Sequence, residues 1–252
     1  MNAEVIDTVK EGKYSLTVLL PVHNEADTIS HTLEEIRQKI LSKISSKLLI
    51  IEDGSTDNTK EVLRKLSKTF PMKLIMRRER LGYSRAVAFG LSIVDTKYVL
   101  FMDSDGQYYP EDFWVLWEVF NKENCDIVSG VRVKRADRLH RKIMSLTFQF
   151  LLKITFKLFH VRDITSSFRL MHAEAARSIA SKCKYMRESF WSEFTVRALY
   201  AGISICEVPI RHRRRPKGET TVYKPWKIPK IAFSQLIGLL RLFVELHFKG
   251  EK

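Results

Sequence analysis

The sequence predicts an α/β fold, a doubly wound and mostly parallel sheet whose ligands bind outside the carboxyl ends of its strands. Three observations carry that expectation. Short apolar runs rich in β-formers alternate with segments of helical periodicity about every 15 to 25 residues through the first half of the chain. Three of these runs stop abruptly in polar, acidic loops: Val22-His23-Asn24-Glu25, Glu52-Asp53-Gly54-Ser55 and Asp103-Ser104-Asp105-Gly106. The chain has 252 residues, 45% of them hydrophobic, with only 10 Gly and 7 Pro, which suits one sizeable core with appendages and not disorder.

Taken in order, the residues before Tyr14 are polar and read as a loose lead-in. Residues 16–20 form a buried strand that stops at Pro21, and from Ala26 onward Ile29, Leu33, Ile36 and Ile40 lie on one helical face. A second strand covers 48–51, after which Thr56 is placed to cap a helix with Val62, Leu63 and Leu66 turned inward. A third strand covers 74–76, and Leu81-Gly82 leads to a helix over 84–94. The fourth strand, 98–102, ends in the Asp-Ser-Asp loop; a helix carrying Phe113, Leu116 and Phe120 follows, then a strand over 126–129. In a parallel sheet the three acidic loops meet at one edge.

Asp103 and Asp105 lie one residue apart, and two such carboxylates repel unless a cation sits between them. Gln107 adds a neutral oxygen two positions on. That oxygen set suits Mg²⁺ or Mn²⁺, ions that keep waters and bind a nucleotide's phosphates rather than accept a full protein cage. The sequence contains neither GxGxxG nor GxxxxGK[ST], so a bound nucleotide is held by side chains and metal. The net charge of +14 favours polyanionic partners: nucleic acid, anionic lipid or a phosphorylated substrate. Nucleic-acid binding has the basic stretch 211–217 in its favour, but no recognised module, and the acidic loops would repel a phosphate backbone; no nucleic-acid partner is expected. Cys125, Cys183 and Cys206 are odd in number and widely spaced, suggesting neither a disulfide framework nor a zinc site, and fitting a reducing compartment. Charges near the N-terminus argue against a signal peptide.

Two later segments are amphipathic. Residues 143–161 present Gln149, Lys153, Lys157 and His160, with Lys142 before them, along one stripe and Phe and Leu over the rest. That pattern suits a helix in a bilayer interface with lysines reaching the headgroups. Period-two alternation from Phe148 to Leu158 leaves a strand open, although length and the lack of turn residues favour helix. Beyond Pro229 the tail is mostly apolar, but Lys230, Ser234, Gly238, Arg241 and Glu245 form a stripe. No uninterrupted apolar stretch reaches the roughly 20 residues of a span, so this too reads as an in-plane or partner-binding helix. The alternative is that both segments pack on the protein's own core. The domain division is 1–223, including an interfacial helix at 142–161, and an amphipathic helical segment at 224–252.

The segments PVHNEADTI, IIEDGSTDNT, LGYSRA and MDSDGQ, in this order and spacing, resemble the nucleotide-sugar-binding half of the large inverting glycosyltransferase family with the A-type fold. The continuation is similar to dolichyl-phosphate mannose synthases and related polyprenyl-phosphate glycosyltransferases: SGVR, Arg141 with Ser145 four residues on, DITSSFRLM, the helix with Ser192-Glu193-Phe194, and EVPI followed by RRRPKGETT. The resemblance implies that Pro21, Asn24 and Glu25 line the donor-nucleotide pocket, with Asp103 beside them, and that Asp53 contacts the base or ribose. Glu52-Asp53 stands where many relatives have two aspartates, which leaves the base open. Asp103, Asp105 and Gln107 correspond to the metal loop. Arg132, Arg141, Ser145 and Arg215 match the acceptor-phosphate positions, and Asp103, Asp105 and Arg215 carry the catalytic role. The usual Ser-Lys of the last motif is replaced by Thr220-Thr221, so a phosphate-contacting lysine is absent or supplied by Lys217 or Lys224.

The implied activity is inverting, metal-dependent transfer of a hexose, mannose from GDP-mannose first, to a polyprenyl or dolichyl phosphate. The enzyme is expected at the cytoplasmic face of a membrane as a peripheral protein, with a membrane-protein partner left open. A UDP-sugar donor or a glycan acceptor is the alternative. His23, His140 and His160 have no ligand spacing, Trp114 and Trp117 read as core, and Glu193 receives no role.

Overall fold

The computed structural model describes residues 3–133, 139–215 and 228–248, with the side chains of 139–142 and 228 outside that description. The strands are β1 (Ala3–Asp7), β2 (Leu16–Val22), β3 (Ser46–Glu52), β4 (Lys73–Arg77), β5 (Tyr98–Phe101), β6 (Ile127–Arg132), β7 (Arg169–His172) and β8 (Ile205–Ile210). They form one sheet in the order β1-β4-β3-β2-β5-β7-β6-β8. Pairs β2–β3, β2–β5, β3–β4 and β6–β8 are parallel, while β1–β4, β5–β7 and β6–β7 are antiparallel. Only β1 and β7 therefore run against the rest, and the exit loops of β2, β3 and β5 share one edge.

The central strands are apolar throughout because both their faces are covered. Leu16, Val18, Leu20 and Val22 of β2 face one layer with α1 (Ile29–Ile36), α2 (Thr59–Ser67) and α4 (Phe113–Glu123). Leu19 points to the other face, towards α3 (Tyr83–Ser92), α6 (Ala173–Lys182) and α7 (Phe190–Tyr200). Gly90 lets α3 lie close on the sheet, since a Cβ there would come within 2.7 Å of Leu19 Cδ1. A third cluster joins α7 to α5 (Leu139–Phe156) and α8 (Ile228–Phe248) through Leu152, Phe156, Val196, Leu239 and Leu242. Trp114 and Trp117 pack on the first layer, and the Trp114 indole N–H donates to the Lys39 carbonyl, so the core reading of both is correct.

Several local expectations change. The lead-in contains β1, an antiparallel edge strand on β4, where Ile6 packs on the core. Thr56 does not cap α2; the helix begins at Thr59, whose N–H donates to the Asp57 carboxylate at 3.0 Å, and Thr56 bonds Asn24 instead. α5 is a helix, not a strand, and stops at Phe156 because Lys157 takes a left-handed φ of 56° and Leu158, Val161 and Ile164 turn back into the core. Cys125 and Cys206 form a disulfide with Cα atoms 6.1 Å apart, correcting the expectation of none. Adjacency of β6 and β8 brings together cysteines 81 residues apart, which spacing in sequence cannot signal.

α5 leaves its apolar face exposed, while Gln149 of the expected headgroup stripe turns inward. Gln149, Leu152 and Phe156 are buried, whereas Ile143, Leu146, Phe150, Leu151 and Ile154 are exposed. Gln149 is turned inward because its amide is used there: Oε1 accepts the Ile164 N–H at 3.2 Å and Nε2 lies 3.4 Å from Ser145 Oγ. α8 likewise exposes Phe233, Leu236, Leu240, Val244 and Phe248. Over Pro229–Phe248 it is long and apolar enough by composition to cross a bilayer, with a mean hydropathy of 1.5, despite Arg241 and Glu245. Its inner face is docked on the domain. Glu245 accepts Arg197 Nη1 at 2.9 Å, Lys184 Nζ at 2.9 Å and the Tyr185 hydroxyl, and Gly238 leaves room for the Tyr185 carbonyl, 2.7 Å from where a Cβ would be.

Candidate active site

The exit loops of β2, β3 and β4 are tied into one frame by short polar side chains. Asn24 occupies a left-handed φ of 56°, its N–H donates to Ser55 Oγ at 2.9 Å, and its Oδ1 accepts the Thr56 N–H at 2.8 Å. His23 Nδ1 is 2.9 Å from the Asp53 carbonyl. Asp53 is buried, and its two oxygens accept the Leu81 and Gly82 N–H groups, each at 2.8 Å. Gly54 has φ +65°, and a Cβ there would strike the Arg80 backbone at 2.5 Å. Asn24 and Asp53 therefore shape the edge as much as they face it. Pro21, the penultimate residue of β2, acts through its carbonyl, which accepts the Ser104 hydroxyl at 2.8 Å; Ser104 O in turn accepts the Thr32 hydroxyl at 3.3 Å. These bonds seat the Asp-Ser-Asp loop against β2 and α1.

Asp103 is held from two sides. Tyr83 donates its hydroxyl to Oδ1 at 2.8 Å, Ser167 donates to Oδ2 at 2.5 Å, and Trp191 Nε1 donates to the Tyr83 oxygen at 2.9 Å. Asp105 has no comparable support: its Oδ1 accepts the Gln107 N–H at 3.1 Å, and the Gln107 amide nitrogen donates to the Arg213 carbonyl at 3.2 Å. Glu25 completes the acidic group, accepting the Thr28 hydroxyl at 2.6 Å and Arg215 Nη2 at 2.5 Å on Oε2.

Both loop aspartates keep some exposed surface but lie deep among protein groups, where ionisation is costly. Burial pushes Asp103 up, opposed by the bonds from Ser167 and Tyr83. Burial and the neighbouring Asp103 charge push Asp105 up to about 7, and burial raises Glu25 against the pull of Thr28 and Arg215. The site is short of positive charge and its donors are all oxygen, which fits a hard divalent cation. Among the described residues no three His, Cys, Asp or Glu side chains converge to hold an ion unaided. Water and ligand oxygens would have to complete the shell.

A cavity of about 520 Å³ opens beside Asp103. Tyr83, Asp103, Arg132, Thr165 and Ser167 supply polar lining, while Ile143, Met144, Phe148 and Leu151 of α5 and Ile231, Ala232, Leu236 and Leu239 of α8 make apolar walls. Arg132 forks onto Asp163 at 2.8 and 2.9 Å and donates to Thr165 Oγ1 at 2.7 Å, so its guanidinium is oriented before any ligand arrives. Ser145 lines the same cavity. Arg215 stands beside the acidic group through Glu25. Arg141 belongs to the first turn of α5 with its side chain outside the described residues, as are Lys217, Thr220, Thr221 and Lys224.

Sequence reasoning did not assign Tyr83, Ser167 or Trp191, although Tyr83 and Ser167 lie inside LGYSRA and DITSSFRLM. Glu193 proves structural: its oxygens accept the N–H groups of Lys184, Tyr185 and Met186 and pair with Arg197 Nε at 2.9 Å. It thereby shapes the loop on which α8 rests.

The pattern of the family described as Glycosyl transferase family 2 matches residues 17–180. An uncharacterized protein of Methanocaldococcus jannaschii is 26% identical over 186 residues, covering 69% of this chain and 79% of that protein. The dolichol-phosphate mannosyltransferase of Pyrococcus furiosus is 25% identical over 211 residues, covering 81% of this chain and 58% of that longer protein. In fold the chain is similar to glucosyl-3-phosphoglycerate synthase from Mycobacterium tuberculosis in complex with Mn²⁺, UDP-glucose and phosphoglyceric acid. The TM-score is 0.69 at 16% identity, over 91% of this chain and 80% of that one.

Proposed function

The chain belongs to glycosyl transferase family 2 and is a glycosyltransferase using a nucleotide-sugar donor, and from that premise we propose that it transfers a hexose to a polyprenyl phosphate at a membrane surface. The observation that carries this reading is the cavity between α5 and α8, apolar along its walls and polar where it reaches Asp103 and Arg132. A small hydrophilic acceptor has no use for such walls, whereas a prenyl chain carrying one phosphate matches both ends. The relationship to a dolichol-phosphate mannosyltransferase supports mannose as the sugar, and GDP-mannose is the first donor to test.

Asp105, Asp103 and Gln107 would hold Mg²⁺ or Mn²⁺. When bound, the ion supplies charge neutralisation for the nucleoside diphosphate leaving group. Asp103, fixed by Tyr83 and Ser167, sets the loop geometry, and Asp105 has the less committed carboxylate. A lipid monophosphate, with a second pKa near about 6, is largely dianionic at pH 7 and needs no strong general base. It needs orientation. Arg132 and Ser145, with Arg141 and Arg215, hold the acceptor phosphate, where guanidinium groups suit phosphate oxygens, and Glu25 orients Arg215 beside the acidic loop. Attack from the cavity side, opposite the departing diphosphate, inverts the anomeric centre.

The exposed apolar side chains of α5 and α8 support a peripheral position in the bilayer interface, with the net charge of +14 adding attraction to anionic lipid. The test is a donor-by-acceptor matrix pairing GDP-mannose and UDP-glucose with dolichyl phosphate, a short prenyl phosphate and a glycan, together with sedimentation on anionic vesicles. Sugar transfer to prenyl phosphates with vesicle binding is expected. Transfer confined to a glycan or a soluble phosphorylated acid would overturn the reading.

A further inference from the structure

Gln235 lies on the cavity-facing side of α8, between Ile231 and Ala232 one turn before it and Leu239 one turn after it. It is the amide in an otherwise aliphatic wall. The residue is 6% exposed, and both its Oε1 and Nε2 are buried with no hydrogen-bond partner among the described residues. Gln149 on the facing helix is equally buried but fully used, by Ile164 N–H and Ser145 Oγ. An unsatisfied buried amide opposes folding, and a leucine or methionine would fill the same wall without that cost. Its polar atoms have a use only when something in the cavity offers them oxygen.

We propose that Gln235 is a specificity-determining residue that hydrogen-bonds a head oxygen of the acceptor, a role that rests on the lipid-phosphate reading above. A prenyl phosphate carries oxygen only at its head, so one amide in an aliphatic wall marks the depth at which the head stops. Nε2–H can donate to a phosphate or ester oxygen, and Oε1 can accept from a protonated phosphate. Arg132 and Ser145, lining the same cavity, supply charge and a hydroxyl; Gln235 supplies register along the chain.

The test uses the full chain and its Gln235→Leu and Gln235→Met variants, the latter close to glutamine in shape. Melting temperature is measured without ligand, and calorimetry gives the affinity for farnesyl phosphate and, separately, for the nucleotide-sugar donor. The variants should melt higher than the native protein, bind farnesyl phosphate about tenfold more weakly, and bind the donor equally well. Opposite movement of stability and acceptor affinity is what a merely structural glutamine cannot produce. Should Gln235→Leu fail to fold, Gln235→Met carries the measurement. Unchanged farnesyl phosphate affinity in the folded variant, or a fall in melting temperature alongside affinity, overturns the role of Gln235 while leaving the acceptor class intact. Failure of the native protein to bind farnesyl phosphate while it binds donor overturns the acceptor class and this role with it.

Discussion

Replacing Glu245 by Gln should release α8 from the domain without touching the donor site. Partial burial alone would raise the Glu245 carboxyl, but hydrogen bonds from Tyr185, Lys184 and Arg197 hold it at about 2 against the usual 4.5. At about 1.4 kcal/mol per pKa unit this corresponds to about 3 kcal/mol. Lys184 is 57% exposed and its share is screened by water, so about 2 kcal/mol is the working figure. The folded pKa is depressed, so the stabilisation is complete above pH 4.5 and disappears as pH falls towards 2. Hydrogen exchange of the α8 amides measures this. The Glu245→Gln substitution should speed exchange by about thirtyfold at pH 7 and abolish the acid-side loss of protection seen in the native protein. The acceptor KM should rise because α8 forms one cavity wall, while donor affinity stays constant. Unaltered α8 protection in E245Q would refute the clasp as the element that docks this helix.

Asp105→Asn should keep the fold and lower transfer by orders of magnitude, and EDTA should do the same to the native enzyme; full activity in EDTA would remove the metal assignment. Since burial and the Asp103 charge raise Asp105 to about 7, Mn²⁺ affinity measured by calorimetry should fall by about tenfold per pH unit on the acid side of that value and level off on the alkaline side. The same raised pKa makes ionisation unfavourable to the native state, so metal-free native protein should lose melting temperature between about pH 4 and pH 7 relative to D105N. Tyr83→Phe deprives Asp103 of one donor and leaves the Trp191 N–H unpaired, costing about 1.5 to 3 kcal/mol in a urea melt. Its kcat should fall more than donor affinity, and an equal loss in both would place Tyr83 in nucleotide binding.

The parallel core was legible because buried strands leave continuous apolar runs, and the Asp-Ser-Asp loop because its charges interrupt one of them. β1 was missed since an edge strand with a single neighbour needs no such run. Asn24 and Asp53 were legible as residues of the site edge but not as the ties that build it, because their partners come from loops about 28 to 32 residues away. Within α5 only Gln149 departs from the expected stripe, for a physical reason. A polar stripe normally faces water or headgroups, and Lys157 and His160 do stay exposed, whereas Gln149 is buried because its partner is the Ile164 backbone. Neither the bond to Ile164 nor the contact of α8 with the 184–186 loop has a local signature, so the cavity between the helices could not be foreseen from either segment alone.

The ties among the exit loops of β2, β3 and β4 give the two sides of this enzyme unequal stiffness. Asn24, His23 and Asp53 bolt this edge into a single rigid piece, so on the proposed donor site a new base or ribose would demand several concerted changes. The opposite wall is two helices, one of them held by the Glu245 clasp and by Leu239 and Leu242, with their apolar outer faces open to whatever surrounds them. The prenyl tail of the proposed acceptor would meet no second boundary of comparable rigidity there. Sugar-nucleotide choice should thus resist single substitutions, whereas tolerance for tail length should shift with almost any change along the α5–α8 seam.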